Sequence, residues 1–113
     1  MSYKTEATDL FDREVKRLSK KYRSLPDDLE NFKKELLENP LMGDDLGNDT
    51  RKVRMAIASK GRGKSGGARI ITFTLLIDVE NATIYLLTIY DKGEQQSISK
   101  QAIAYLKEKS GLS

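Results

Sequence analysis

The stretch Ser59-Lys60-Gly61-Arg62-Gly63-Lys64-Ser65-Gly66-Gly67-Ala68-Arg69 concentrates the chemistry of this chain. Four cations alternate with four glycines, so the backbone can come close to a phosphate while the side chains supply the opposite charge. Two nucleotide-binding motifs overlap the stretch, and both fail on context. Gly61, Gly63 and Gly66 satisfy G-x-G-x-x-G, but that fingerprint needs a helix after the glycines, and a β-branched strand pattern follows here. Gly63-Lys64-Ser65 matches the end of a P-loop, yet the earlier glycine it requires falls on Ala58. What remains is a flexible loop suited to a polyanion, with a solvated basic hairpin loop as the plain alternative.

The rest of the composition narrows the chemistry. There is no Cys and no His, which removes disulfides, Cys/His zinc sites, thiol nucleophiles and imidazole acids or bases. Any proton transfer falls to Lys, Arg, Tyr, Ser, Asp or Glu. The formal charge is only +3, but residues 51–69 hold seven basic and no acidic groups, whereas residues 27–50 hold two basic and eight acidic ones. Seven like charges in so short a segment repel one another, and the phosphates of a ligand would relieve that repulsion. Most of the aromatic residues fit helix stripes or strand cores. Tyr90 differs: it closes a strand beside Asp91-Lys92-Gly93, where its ring could stack on a base or its hydroxyl could donate, with a place in the strand core as the equal alternative.

Elements must position these groups. At 113 residues, 38% apolar and 33% charged, the chain has the size and the apolar content for one domain, residues 1–113, around one core. No apolar run approaches the roughly 18 residues of a membrane span, and the amino-terminal residues lack a basic region followed by an apolar stretch, so a cytoplasmic protein is expected.

A short strand is expected around Tyr3 to Ala7. Thr8 then caps a helix whose stripe is Phe11, Val15, Leu18 and Tyr22. The opposite face carries Arg13, Lys16, Arg17, Lys20, Lys21 and Arg23 and reads first as solvated surface, with polyanion backbone contact as its other use. Ser24-Leu25-Pro26-Asp27-Asp28 opens a second helix with Leu29, Phe32, Leu36 and Leu37 as its apolar face, stopped at Asn39-Pro40. Residues 41–50 read as loop. Val53, Met55 and Ile57 alternate with Lys52, Arg54 and Ala56 as a strand; Ala68 to Ile77 and Ala82 to Tyr90 read as adjacent central strands. Ser97 or Ser99 caps a last helix bearing Ala102, Ile103 and Leu106, ended by Gly111. The expected fold class is α+β: an N-terminal helical hairpin packed on one face of a small, mainly antiparallel β-sheet, with a short C-terminal helix. The other sheet face would be free, letting Lys52, Arg54 and the loop 59–67 converge.

Four blocks, taken together, resemble the RelE/ParE toxin superfamily, in its HigB-type branch. They are Pro40-x-x-Gly43, Arg51-Lys52-Val53-Arg54, Lys60 through Ile71, and Leu86-Leu87-Thr88-Ile89-Tyr90-Asp91-Lys92. The resemblance covers about half of the chain and implies a RelE-like microbial RNase fold. It further implies the toxin of a type II toxin–antitoxin pair, a ribosome-dependent endoribonuclease that cleaves mRNA in the A site and inhibits translation. The implied partners are a cognate protein antitoxin and mRNA on the ribosome near 16S rRNA, with no membrane, no metal and no cofactor. Arg69 matches the arginine that faces the scissile phosphate in relatives, Lys64 lies in the matching basic loop, and Lys92 matches the lysine after the last strand. With Tyr90 they form the candidate catalytic set; Arg51, Lys52, Arg54, Lys60 and Arg62 are the candidate RNA and ribosome contacts. Relatives often carry tyrosine or histidine at the start of the last helix, where this chain has Ser97 and Ser99, so the general base is open.

The implied reaction is metal-independent. The ribose 2′-hydroxyl attacks the neighbouring phosphate, leaving a cyclic phosphate and a 5′-hydroxyl, while the protein stabilises charge and moves two protons. Two other readings stand beside it: a non-catalytic nucleic-acid-binding module, and a ParE-like gyrase inhibitor on the same fold. The dense basic loop counts against the second.

Overall fold

The computed structural model describes residues 1–112. The element order is β1 (Ser2–Ala7), α1 (Asp9–Lys21), α2 (Leu25–Glu38), β2 (Asp44–Gly47), β3 (Thr50–Met55), a single 3₁₀ turn (Ala58–Lys60), β4 (Ala68–Leu76), β5 (Asn81–Asp91) and α3 (Lys100–Lys109). The five strands form one sheet in the order β1-β5-β4-β3-β2.

This corrects the expected architecture. The strand expected around Tyr3 to Ala7 is there and joins the sheet, so the helical hairpin is not the N-terminal element, and β1 pairs parallel with β5, from Ser2 opposite Asn81 to Ala7 opposite Leu86. The sheet is therefore mixed, with antiparallel pairing only among β5, β4, β3 and β2. A parallel pair needs a long crossover between its strands, and α1 and α2 lie within that connection. The alternation in β1 is a weak signal because Tyr3, Thr5 and Ala7 are only half-buried at the sheet edge.

Helix α1 forms because Thr8, in extended geometry, accepts the Phe11 N–H at 3.1 Å through its hydroxyl. That hydroxyl also lies 3.2 Å from the carbonyl of Leu86, to which it donates, tying the helix start to β5. Phe11 and Leu18 are fully buried, with Val15 and Tyr22 packed against the same core. In α2 the buried residues are Leu25, Leu29, Phe32 and Leu36, while Leu37 is 42% exposed, which removes it from the expected apolar face. The hydroxyl of Ser24 does not cap this helix. It donates to Asp28 at 2.7 Å and accepts the Ser59 N–H at 2.8 Å, fastening α2 to the 3₁₀ turn.

On the sheet face toward these helices, Val53, Met55, Ile57, Ala68, Ile70, Ile84, Leu86 and Ile89 complete the main core. Each of these Val, Leu, Ile and Met side chains contributes about 1.5–3 kcal/mol by its burial. The opposite face is not free, as the sequence suggested, but shared. Ile71, Phe73, Leu87 and Ile103 form a second cluster under α3, joined by Leu46, Tyr85, Ile98 and Leu112. Ser99 caps α3 by accepting the Ala102 N–H at 3.0 Å, and the Lys107 ammonium lies 4.1 Å from the centre of the Phe73 ring.

The strand β2 is a further departure from the loop expected there. Its Asp- and Gly-rich residues have poor strand propensity, but a two-residue turn holds them to β3. Gly47 stands opposite Thr50, and Asn48 and Asp49 between them both take positive φ, 53° and 58°. That is the geometry of the hairpin turn that Asn and Asp tolerate best after glycine. No helix of the described residues is long and apolar enough to cross a membrane.

Candidate nucleic-acid interface

Strand pairing fixes which side chains share a face. Val53, Ile70 and Ile89 stand opposite one another and point into the main core. One residue along, Arg54 stands opposite Arg69 and Arg69 opposite Tyr90, so this row crosses β3, β4 and β5 on the other face. Two residues further, Lys52 and Ile71 repeat the placement, and there the α3 cluster begins. Three sequence-chosen residues, Arg54, Arg69 and Tyr90, are thus brought into one line by register alone.

The row is electrostatically unbalanced. Directly opposed like charges destabilise a sheet, and among the described residues neither Arg54 nor Arg69 has a carboxylate partner. Arg54 is exposed. Arg69 is 6% exposed and Tyr90 4%. The Arg69 guanidinium instead grips the basic loop: one terminal nitrogen donates to the carbonyls of Lys64 at 3.1 Å and Ala68 at 3.2 Å, the other to that of Ser65 at 3.0 Å. Tyr90 lacks any such partner. Its hydroxyl is buried with no hydrogen bond, and burial pushes its pKa up, with the Arg69 charge offsetting part of that rise.

The loop expected to be flexible is tethered at both ends. At its start, the Lys60 ammonium is 2.6 Å from Asp91 and only 15% exposed. At its end, the Lys92 N–H donates to the Gly67 carbonyl at 3.0 Å. Gly67 is obligatory, because a Cβ there would fall inside the van der Waals shell of the Met55 carbonyl oxygen. Asp91 is the hub: beyond Lys60 it accepts from the Tyr22 hydroxyl and from the Gly93 N–H at 2.9 Å. Burial pushes this carboxyl up, but the Lys60 ammonium, the Tyr22 hydroxyl and the Gly93 N–H more than offset it and hold the pKa at about 2.

The remaining candidates divide. Lys60 faces inward to Asp91 and is not presented to a ligand. Arg51 donates to the carbonyls of Leu41 at 2.9 Å and Gly43 at 3.3 Å, so it pins the segment after α2. Lys64 sits with its ammonium 3.4 Å from Glu35 of α2, and Lys92 donates to the Gln96 carbonyl at 2.6 Å. Neither ammonium hydrogen-bonds to a side chain of the row, although Arg69 grips the Lys64 carbonyl and Lys92 follows Tyr90 by two residues. Lys52, Arg54 and Arg62 make no ion pair or hydrogen bond through their side chains among the described residues. Two shallow grooves share Arg54 and Lys64: one toward Asp28, Asn31 and Glu35, the other toward Met42, Gly43 and Lys52. No three acidic side chains cluster as a metal site among the described residues.

Sequence reasoning missed Asp91 as the organiser and Tyr22 as its partner. A signal was present: an acid at the end of the last strand, in a chain whose cations crowd the loop that must end beside it. No protein-family model matches the chain.

Proposed function

We propose that this chain is a ribosome-dependent endoribonuclease, the toxin of a type II toxin–antitoxin module, which cleaves mRNA in the A site without a metal ion. The observation that carries the reading is the Arg54–Arg69–Tyr90 row: two unneutralised guanidiniums in register with a buried, unpartnered hydroxyl. The resemblance of the four sequence blocks to HigB-type members of the RelE/ParE superfamily supplies the reaction. A protein antitoxin that keeps the toxin inactive, and a cytoplasmic site of action, belong to the same proposal.

The residues suit the chemistry in this way. The phosphate meets exposed Arg54 first, then replaces the loop carbonyls of Lys64 and Ser65 at the Arg69 guanidinium, so the loop lifts as substrate enters. Attack by the 2′-oxygen on phosphorus forms the cyclic phosphate and breaks the bond to the 5′-oxygen. Arg69, with a planar fork of donors, neutralises the extra charge of the pentacoordinate phosphorane. Tyr90, held protonated by burial, gives its proton to the departing 5′-oxygen. A lysine takes the 2′-proton only as the uncharged amine, so Lys64 on the loop side or Lys92 on the turn side, the two candidates, first gives its own proton to solvent and leaves the contact it makes with Glu35 or with the Gln96 carbonyl. Lys52 and Arg62 hold flanking phosphates.

The test is in vitro translation of a reporter mRNA with purified protein, mapping RNA ends by primer extension beside a ribosome-free reaction. Breaks that appear only with ribosomes support the reading; intact mRNA and continued translation refute it. Salt-sensitive RNA binding without products would instead favour a non-catalytic nucleic-acid-binding module, the reading that the same row also allows.

A further inference from the structure

Helix α1 presents two kinds of cation. Its buried side holds Phe11 and Leu18, with Val15 and Tyr22 packed beside them. On the side directly away from the core stand Arg13, Lys16 and Lys20, spaced three and four residues apart, all exposed. At 3.6 residues per turn they fall within an arc of roughly 60°. Arg17 and Lys21, displaced toward β5, are neutralised: Arg17 lies 2.8 Å from Glu14 and 3.0 Å from Glu94, and Lys21 lies 3.5 Å from Glu94 and 3.6 Å from Asp91. Arg13, Lys16 and Lys20 make no ion pair among the described residues, although Asp9 and Asp12 stand one turn before the first two.

The chemistry of the stripe selects its partner. Protein interfaces are anchored by buried aromatic and large apolar side chains, and α1 exposes none: the exposed large apolar residues lie elsewhere, at Leu75, Leu76, Ile77 and Val79 on the β4–β5 hairpin, for example. A helix bound to a bilayer surface inserts an apolar face, and that of α1 is in the core. Unpaired cations without apolar anchors fit a phosphate backbone. The stripe stands apart from the candidate interface: it is Lys21, outside the stripe, that reaches Asp91.

We infer that the Arg13–Lys16–Lys20 stripe is a docking surface for the phosphate backbone of folded RNA, separate from the Arg54–Arg69–Tyr90 row. This rests on the reading of the chain as acting on ribosome-bound mRNA: the stripe holds structured ribosomal RNA while the row acts on the message. Substrate binding and bond breaking are then divided between two faces.

The probe is purified ribosomes programmed with a short mRNA, titrated with wild-type protein and with the triple variant R13Q/K16Q/K20Q across a range of salt. Each phosphate contact contributes about 0.7 to 0.9 to the slope of log affinity against log salt, so the variant's slope is shallower by about two. Between ~50 and ~200 mM salt, its binding weakens about twentyfold less than wild-type binding does. The variant raises KM and leaves kcat unchanged, and R13K/K16R/K20R behaves as wild type because a phosphate contact needs the charge and not its shape. Wild-type affinity and slope in the triple variant overturn the inference. Loss of binding to phosphatidylglycerol vesicles with no change on ribosomes overturns it in favour of a membrane surface. A wild-type protein that shows the stripe-dependent slope but leaves mRNA intact supports the docking surface and refutes the cleavage reading.

Discussion

Replacing Tyr90 by Phe is expected to make the protein more stable and less active at once. The hydroxyl is buried at a residue only 4% exposed and has no hydrogen-bond partner. Leaving a hydroxyl dry and unpaired costs about 1–3 kcal/mol. Phe keeps the ring, fills the same space and leaves no orphan behind, since nothing in the fold donates to or accepts from that oxygen. The gain is then about 1–2 kcal/mol, which for a domain of this size raises Tm by roughly 5–10 °C. Urea denaturation checks it: the midpoint rises while the slope m stays that of wild type. Cleavage on programmed ribosomes falls by about a hundredfold or more, the usual contribution of a positioned acid. A less stable Y90F would mean that the hydroxyl serves the fold; undiminished cleavage would mean that another group protonates the leaving oxygen.

Asp91→Asn leaves the nearly buried Lys60 ammonium without its counter-charge, and the expected loss is about 3 kcal/mol at pH 7, read as a lower Tm. Because the folded Asp91 has a pKa of about 2, below the ordinary 3.8, its stabilisation is present above pH 3.8 and is lost as pH falls toward 2. The gap between wild type and D91N therefore shrinks by about 2 kcal/mol between pH 5 and pH 2, and a gap that stays constant contradicts the assignment. Gly67→Ala drives a methyl group into the Met55 carbonyl and should destabilise by more than the ~1 kcal/mol expected of Gly61→Ala, where only the left-handed backbone opposes the change; thermal melts of the two variants compare them. Arg69→Lys keeps the charge but loses the fork that grips the Lys64 and Ser65 carbonyls. It should cut cleavage at least tenfold, with far-ultraviolet circular dichroism unchanged, whereas an unfolded variant would make the arginine purely structural.

Much of the fold was legible because period and capping agree. The Phe11–Val15–Leu18–Tyr22 stripe behind Thr8 became α1, and the β-branched runs around Ile70 and Ile84 became the central strands. The misses have physical causes. Pairing partners are non-local, so the sequence does not reveal that β1 lies parallel to β5 and turns the sheet mixed. Strand β2 forms through its turn and against its own propensity. Leu37 fits the helical period yet stays exposed, while Leu25, one residue after Ser24, is fully buried.

The site was half legible for the same reason. Alternation placed Arg54 away from the core, and register then aligned it with Arg69 and Tyr90. Composition alone counted Lys60 and Arg51 with the ligand-facing cations. Only geometry shows that Lys60 serves Asp91, and that Arg51 serves the carbonyls of Leu41 and Gly43. A charge count does not distinguish a cation presented to solvent from one used to hold the loop that presents the others.

We propose that the row of Arg54, Arg69 and Tyr90 supports 2′-oxygen attack on an mRNA phosphate without a metal ion. It is tested most directly by the chemistry of the fragment ends after cleavage on programmed ribosomes. The expected products are an upstream fragment ending in a 2′,3′-cyclic phosphate and a downstream fragment with a 5′-hydroxyl that accepts label from polynucleotide kinase without prior phosphatase. Downstream fragments bearing a 5′-phosphate, or mRNA left whole at saturating protein, would contradict it.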